Sequence, residues 1–310
     1  MREISIKLVQ VIVAGAAVAG VAPPTLLEAA GLAADQLADP DARISLGQAT
    51  RLWHEAARLT GDESFGLHLS ERLPIDGFGA LGFALRSSPT LGEAYERAAR
   101  YLRLVARGPT LAITLEGPLA RIVHEPPATG HAPSRHAVEF LLANLVMAAR
   151  RGVDPAFVPR AARFRHAAPA RVDEHRRLFG GALGFGEARD ELLLDRRSLA
   201  SPQAQAEPAL CEVLDLHLAS LLAALPDDRS FLDRARAALA AEIGHGEPSL
   251  TALAARLRLS PRSLQRRLQQ EGSSLSSLLD GLRADLALRY LRESRDSIAE
   301  VAFLLGFSEV

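Results

Sequence analysis

The sequence predicts two domains of different class. The first is an α+β domain, mostly helical with a small sheet, over residues 1–225. The second is an all-α domain over residues 229–310, built as a double helix-turn-helix. Three observations carry this reading. Apolar residues recur at helical spacing along most of the chain but alternate with polar ones between about 110 and 125. A two-helix pattern near the C-terminal end occurs twice. Between the two regions, Pro226-Asp227-Asp228 interrupts apolar helical runs. A length of 310 residues fits two domains, each able to bury a core, and 48% hydrophobic with 24% charged residues is ordinary for a globular protein.

Taken in order, Arg2 and Lys7 flank the start of an apolar run at 8–22, which has the outline of a secretory signal. It is short and weak for a membrane span. The expectation is an opening helix, broken at Pro23-Pro24 and followed by a second helix at about 25–30. Residues 46–72 read as two helices, with Leu46, Ala49, Trp53, Ala56, Ala57 and Leu59 forming a packed face. Trp53 and His54 are candidate pocket residues, although a Trp in such a stripe is more often core.

Gly77, Gly79 and Gly82 have the spacing of a dinucleotide-binding loop, but a helix precedes them and no strand with an acidic residue follows at the required distance. They are read as the opening of a packed helix at 80–85. Thr90 is placed to cap a long helix at 91–107, whose stripe is Ala94, Tyr95, Ala98, Tyr101, Leu102 and Val105. Residues 110–116 and 120–125 alternate around Gly117-Pro118 and predict a β-hairpin. A central helix follows at 133–151, a strand at 160–166 and a helix at 171–179. Short strands are expected at 184–185 and 191–194, then a long amphipathic helix at 207–225.

The C-terminal pattern is the most specific. Leu250, Leu253, Ala254 and Leu257 line one face of a helix that Ser249 can cap. After a turn at Arg258-Leu259-Ser260, Ser260 caps a second helix, Pro261 fits its first position and Gly272 ends it. Leu264 and Leu268 face inward, while Arg262, Gln265, Arg266 and Gln269 share the opposite face. An Arg/Gln face on the second helix is the form of a DNA-reading unit. The pattern returns 48 residues later (298 − 250). Leu250, Leu253, Leu257 and Leu259 correspond to Ile298, Val301, Leu305 and Phe307, Ala254 to Ala302, and Ser260 to Ser308. Net charge is −1, yet residues 256–295 hold nine arginines against four carboxylates, a local excess of five where phosphate contacts are needed. Arg dominates the cations throughout, with Lys7 the single lysine, so part of that excess reflects general composition.

The region 229–310 closely resembles the DNA-binding domain of AraC/XylS-type transcription regulators, in which a long helix, here about 275–291, joins two helix-turn-helix units. The resemblance extends to the subgroup with a helix-rich, arabinose-binding-like effector domain, through the runs 76–82, 87–104 and 164–195. It implies sequence-specific binding of double-stranded DNA, a small-molecule effector in the N-terminal domain, a possible homodimer, contact with RNA polymerase, no cofactor, no membrane association and a cytoplasmic location. A cytoplasmic DNA-binding protein also favours the opening helix over a signal at 8–22. Two departures stand out. Arg258 occupies a turn position where Gly is more usual, so strain is expected there. The chain ends at Val310, as the second recognition helix should begin, so the second reading head is expected to be incomplete.

The expected reading residues are Arg262, Gln265, Arg266 and Gln269 toward base edges, with Ser263 and Arg267 flanking them on phosphates. No catalytic motif stands out. His131 and His136 lack ligand spacing, His124 could adjoin them, and no metal site is expected. Single Cys211 excludes an intramolecular disulfide and is expected to be buried and inert. Two alternatives remain: an unrecognised enzyme site within 70–200, or C-terminal helices with an interaction role apart from DNA. A pocket lined with perturbed ionisable groups favours the enzyme, and a plain apolar cavity counts against it.

Overall fold

A computed structural model describes residues 3–73, 75–126, 133–225, 231–240 and 249–293. The chain divides into two compact units, Met1–Pro226 and Asp227–Val310. The break expected at 226–228, His131 and the repeat at 298–308 lie outside the described residues.

In the first unit a short strand, β1 (Glu3–Ser5), pairs antiparallel with β2 (Arg43–Ser45), Ile4 opposite Ile44. Helix α1 (Ile6–Val18) starts where Ser5 accepts from the Lys7 amide. Its start is two residues earlier than the 8–22 reading, and strand β1 precedes it. The chain leaves the helix after Val18, well before Pro23. Ile6, Val9, Ile12 and Ala16 of α1 are fully buried against α2 (Pro23–Ala30) and α3 (Leu46–Thr60), so the apolar opening run is core. A reciprocal Ser45/Gln48 cap opens α3.

Helix α4 (Phe65–Arg72) lies close against α7 (Arg135–Gly152). Gly66 permits the approach, because a Cβ there would stand 2.2 Å from the His136 carbonyl oxygen. Helix α5 (Ala80–Ser87) follows Gly79, whose φ is 56°. Thr90 caps α6 (Leu91–Val105) by accepting from the Glu93 amide, and α6 stops two residues short of the expected 107.

A five-stranded sheet has the order β3 (Thr110–Glu116), β4 (Leu119–Glu125), β7 (Asp190–Asp195), β5 (Ala161–Phe164), β6 (Ala182–Phe185). Only β5 and β6 run parallel, joined by the crossover helix α8 (Asp173–Phe179). The hairpin turns at Gly117 with φ 59°, and Leu111 faces His124 across it. Leu192 and Leu194 of β7, Ile122 of β4 and Phe164 of β5 form a core with Leu142 and Val146 of α7. The last helix of the unit, α9 (Pro208–Ala224), packs on α5 and α6 through Leu218 and Cys211, while Val213 and Leu216 are exposed. Thus α9 is apolar on both its faces, not amphipathic as the spacing suggested.

The second unit contains α10 (Phe231–Ala240), α11 (Leu250–Arg256), α12 (Pro261–Gln270) and α13 (Leu275–Glu293). Phe231, Ala235, Leu239, Leu253, Ala254, Leu264, Leu268 and Leu282 form one core. The α+β class of the first unit and the helix-turn-helix of the second are therefore both present.

Candidate DNA-reading face and ligand cavity

Both ends of the turn between α11 and α12 are built from side chains and backbone donors that the local sequence supplies. Ser249 caps α11, accepting from the Ala252 amide, and Ser260 caps α12, accepting from the Ser263 amide. At the end of α11 the Arg258 amide donates to the Ala255 carbonyl and the Leu259 amide to the Ala254 carbonyl. This is a Schellman closure, which places its C′ residue in the left-handed region. That residue is Arg258, with φ 55°, the one non-glycine residue at positive φ among the described residues. The strain expected at this position is thereby located. Gly272 closes α12 in the same way, at φ 68°.

Leu264 and Leu268 anchor α12 in the core. Arg262, Gln265, Arg266 and Gln269 are exposed. Two flanking residues have additional partners. The Ser260 hydroxyl donates to Ser263 Oγ at 2.9 Å, so Ser263 is part of the cap. The Arg267 guanidinium sits 4.6 Å above the Phe231 ring centre, a cation–π contact that ties α12 to α10.

The first unit holds a cavity of about 170 Å³, enclosed by residues of α1, α3, α5, α6, α7 and the β3–β4 hairpin. Trp53, Phe78 and Phe140 form an aromatic wall. The Trp53 and Phe140 ring centres are 5.2 Å apart, and those of Phe78 and Phe140 are 6.2 Å apart. No Asp, Glu, Lys or Arg lines the space. The polar residues in its lining are Thr50, Tyr95, His124, Ser134 and Asn144. Tyr95 donates its hydroxyl to the Leu145 carbonyl at 2.8 Å, and burial pushes that phenol far above its ordinary range. Asn144 donates Nδ2 to the Phe140 carbonyl at 2.8 Å. Ser134 Oγ and His124 Nδ1 are buried and make no hydrogen bond, although Asp190 Oδ2 stands 3.7 Å from the imidazole.

Of the two pocket candidates, Trp53 lines the cavity and is at once a core residue. His54 is exposed on α3 and turns its ring edge toward His136. The alanines at 49, 94, 98, 137 and 148 line the same space. Small residues on the inward faces of several helices were the sequence signal for a void. Its lining is almost wholly apolar.

Other buried chemistry is structural in character. Glu139 on α7 accepts from His175 Nε2 at 2.9 Å and Arg135 Nη1 at 3.2 Å, with His136 Nδ1 and His166 Nε2 within 3.6 Å. Burial raises its carboxyl pKa, but His136, His175 and Arg135 outweigh that and hold it at about 2. Among the described residues, no group of three or more His, Cys, Asp or Glu is arranged to hold a metal. Cys211 is buried, with Sγ 3.6 Å from the Ala84 carbonyl, and burial pushes the thiol up. Such a thiol is a poor nucleophile. Among the described residues, no helix is long and apolar enough to cross a membrane.

Comparison with known proteins bears on both sites. The family of the arabinose-binding domain of AraC transcription regulator, N-terminal, matches residues 20–203, and a helix-turn-helix domain matches 253–310. The Ornithine utilization regulator of Pseudomonas aeruginosa is 31% identical over 290 residues, covering 94% of this chain and 85% of that protein. The HTH-type transcriptional regulator VirS of Mycobacterium tuberculosis is 28% identical over 273 residues, covering 87% and 79%. Among solved structures, the transcriptional regulator CdpR from Pseudomonas aeruginosa aligns over 92% of this chain and 89% of its own, with a TM-score of 0.45 and 20% identity.

Proposed function

We propose, from the premise that this chain belongs to the AraC family of transcription regulators, that α12 reads operator DNA and that the cavity of the first unit holds the controlling small molecule. DNA-binding transcription regulation is the family's activity and this chain's. The observation that carries the residue assignment is the division of α12. Leu264 and Leu268 bury one side, and Arg262, Gln265, Arg266 and Gln269 are exposed. Arg pairs with guanine O6 and N7 and Gln with adenine N6 and N7, each worth about 1–3 kcal/mol of discrimination. Ser263 holds the helix start and flanks the phosphates. Arg267, through Phe231, steadies the helix beside the backbone it neutralises. In a complete second unit, the recognition helix that follows the repeat at 298–308 would address the next major-groove segment, about 34 Å along the duplex.

An effector acts by binding one conformation better than another. Leu81 and Leu85 of α5 line the cavity and also belong to the cluster that packs α5 against Tyr101 and, on α9, Leu218. A ligand that shifts α5 therefore bears on α9, the last helix before the second unit. A second copy of the chain and RNA polymerase complete the partners, in the cytoplasm and without enzymatic activity. The test is selection of bound genomic fragments by the full-length protein. A recurrent site bound with steep salt dependence is expected. Uniform retention of all fragments, or of none at low salt, contradicts the proposal.

A further inference from the structure

We infer that the cavity takes an uncharged, ring-sized apolar molecule with one or two hydrogen-bonding groups, and that it rejects amino acids and sugars. The inference rests on the effector reading only for its link to DNA; the chemistry of the ligand follows from the lining.

Size comes first. About 170 Å³ is close to the roughly 150 Å³ of a dry cavity that accepts benzene. The aromatic wall of Trp53, Phe78 and Phe140 suits a planar apolar body, which can stack or meet these rings edge-on. Charge decides next. No Asp, Glu, Lys or Arg lines the space. An amino acid such as ornithine would bring two ammonium groups and a carboxylate into a site with no counter-ion, where an unpaired charge is far more costly than in water. A relative's name therefore does not transfer to this cavity.

A sugar fails on the hydrogen-bond count. Tyr95 and Asn144 already donate to backbone carbonyls. That leaves Thr50, His124 and Ser134 with unspent capacity, too few for the hydroxyls of a pentose. Each hydroxyl buried without a partner weakens binding.

The polar end is specified by two orphans. Ser134 is 3% exposed and His124 is 5% exposed, and Ser134 Oγ and His124 Nδ1 make no hydrogen bond. Ser134 is the residue just before α7, at its capping position, yet its hydroxyl does not cap the helix. A buried polar atom without a partner is uncommon in a folded protein. Both residues line the same cavity, although neither orphan atom is itself exposed to it. A turn of either side chain toward the cavity would let an alcohol, ester or ketone group on the ligand supply the missing partner.

Trp53 is the single tryptophan of the chain and lines the cavity, so its emission reports binding directly. The full-length protein is titrated with 2-phenylethanol and methyl benzoate, and in parallel with benzoate, L-ornithine and L-arabinose. The two neutral compounds are expected to change Trp53 emission saturably, and the other three to leave it unchanged. Ala98→Leu, which fills space lined by α6, is expected to weaken the neutral ligands about tenfold or more. Ser134→Ala is expected to weaken 2-phenylethanol but not toluene, which has no polar end. Saturable binding of ornithine or arabinose, or no response to either neutral compound, overturns the inference. Operator affinity is measured with and without 2-phenylethanol. If emission saturates and operator affinity stays constant, the ligand chemistry stands and the effector reading fails.

Discussion

Arg258→Gly should stabilise the helix-turn-helix. Arg258 has φ 55° in a turn that its own amide and that of Leu259 close onto the Ala255 and Ala254 carbonyls. The left-handed conformation costs an L-residue with a Cβ about 1–2 kcal/mol, and Gly avoids it. Against this, Gly gains roughly 0.4–1 kcal/mol of freedom in the unfolded chain. The balance is a stabilisation of about 1 kcal/mol, or roughly a fivefold shift in the opening equilibrium. Trp53, the only tryptophan, lies in the other unit. The suitable assay is therefore native-state hydrogen exchange of the α11 and α12 amides in the full-length protein. Protection should rise about fivefold. The reciprocal change, Gly272→Ala at φ 68°, has open space around the new Cβ and should lower protection by a similar factor through conformation alone. Unchanged or faster exchange in Arg258→Gly, with Gly272→Ala neutral, would refute the assignment of strain to this turn.

The Glu139 carboxyl has a folded-state pKa of about 2 against an ordinary value of 4.5. A depressed pKa contributes stability that is present above the unfolded value and disappears as pH falls through the folded one. The gap corresponds to about 3 kcal/mol. Glu139→Gln should therefore be less stable than the parent by that order at pH 6 in urea unfolding, with the difference shrinking as pH falls from 4.5 toward 2. A difference that stays constant with pH would show that the charge is not the cause. Gly66→Ala places a methyl 2.2 Å from the His136 carbonyl oxygen and must push α4 from α7. A loss of about 1–3 kcal/mol is expected in the same assay, and an unchanged midpoint would mean that the helices separate freely.

The elements that the sequence made legible are those whose signals are local. The hairpin at β3–β4 shows alternation on either side of Gly117, and its strands lie within one residue of the expected bounds. Helix α12 carries its cap, its first-position Pro, its buried Leu264 and Leu268 and its terminal Gly272 within thirteen consecutive residues, 260–272. Strands β1 and β2 were not legible, because three residues each are too few to show a period and their pairing joins positions some forty residues apart. Helix α9 misled for a different reason. Spacing cannot tell which apolar face is covered, and Val213 and Leu216 are on the open one. The cavity needs side chains from Ile4 to Ala148 brought together, so of its lining only Trp53 was named as a pocket candidate beforehand. The Glu139 cluster joins His136, a local i,i+3 neighbour, with His166 and His175, which tertiary structure alone supplies.

The central claim is that the exposed Arg/Gln face of α12 reads sequence. The most direct test compares full-length parent and Arg266→Ala on a genomic site that the parent selects, at fixed salt and against a scrambled duplex. The account predicts that Arg266→Ala loses about 1–3 kcal/mol on the selected site, with relaxed preference at one base pair and little change on the scrambled duplex. Equal affinity of parent and variant for the selected site would contradict it.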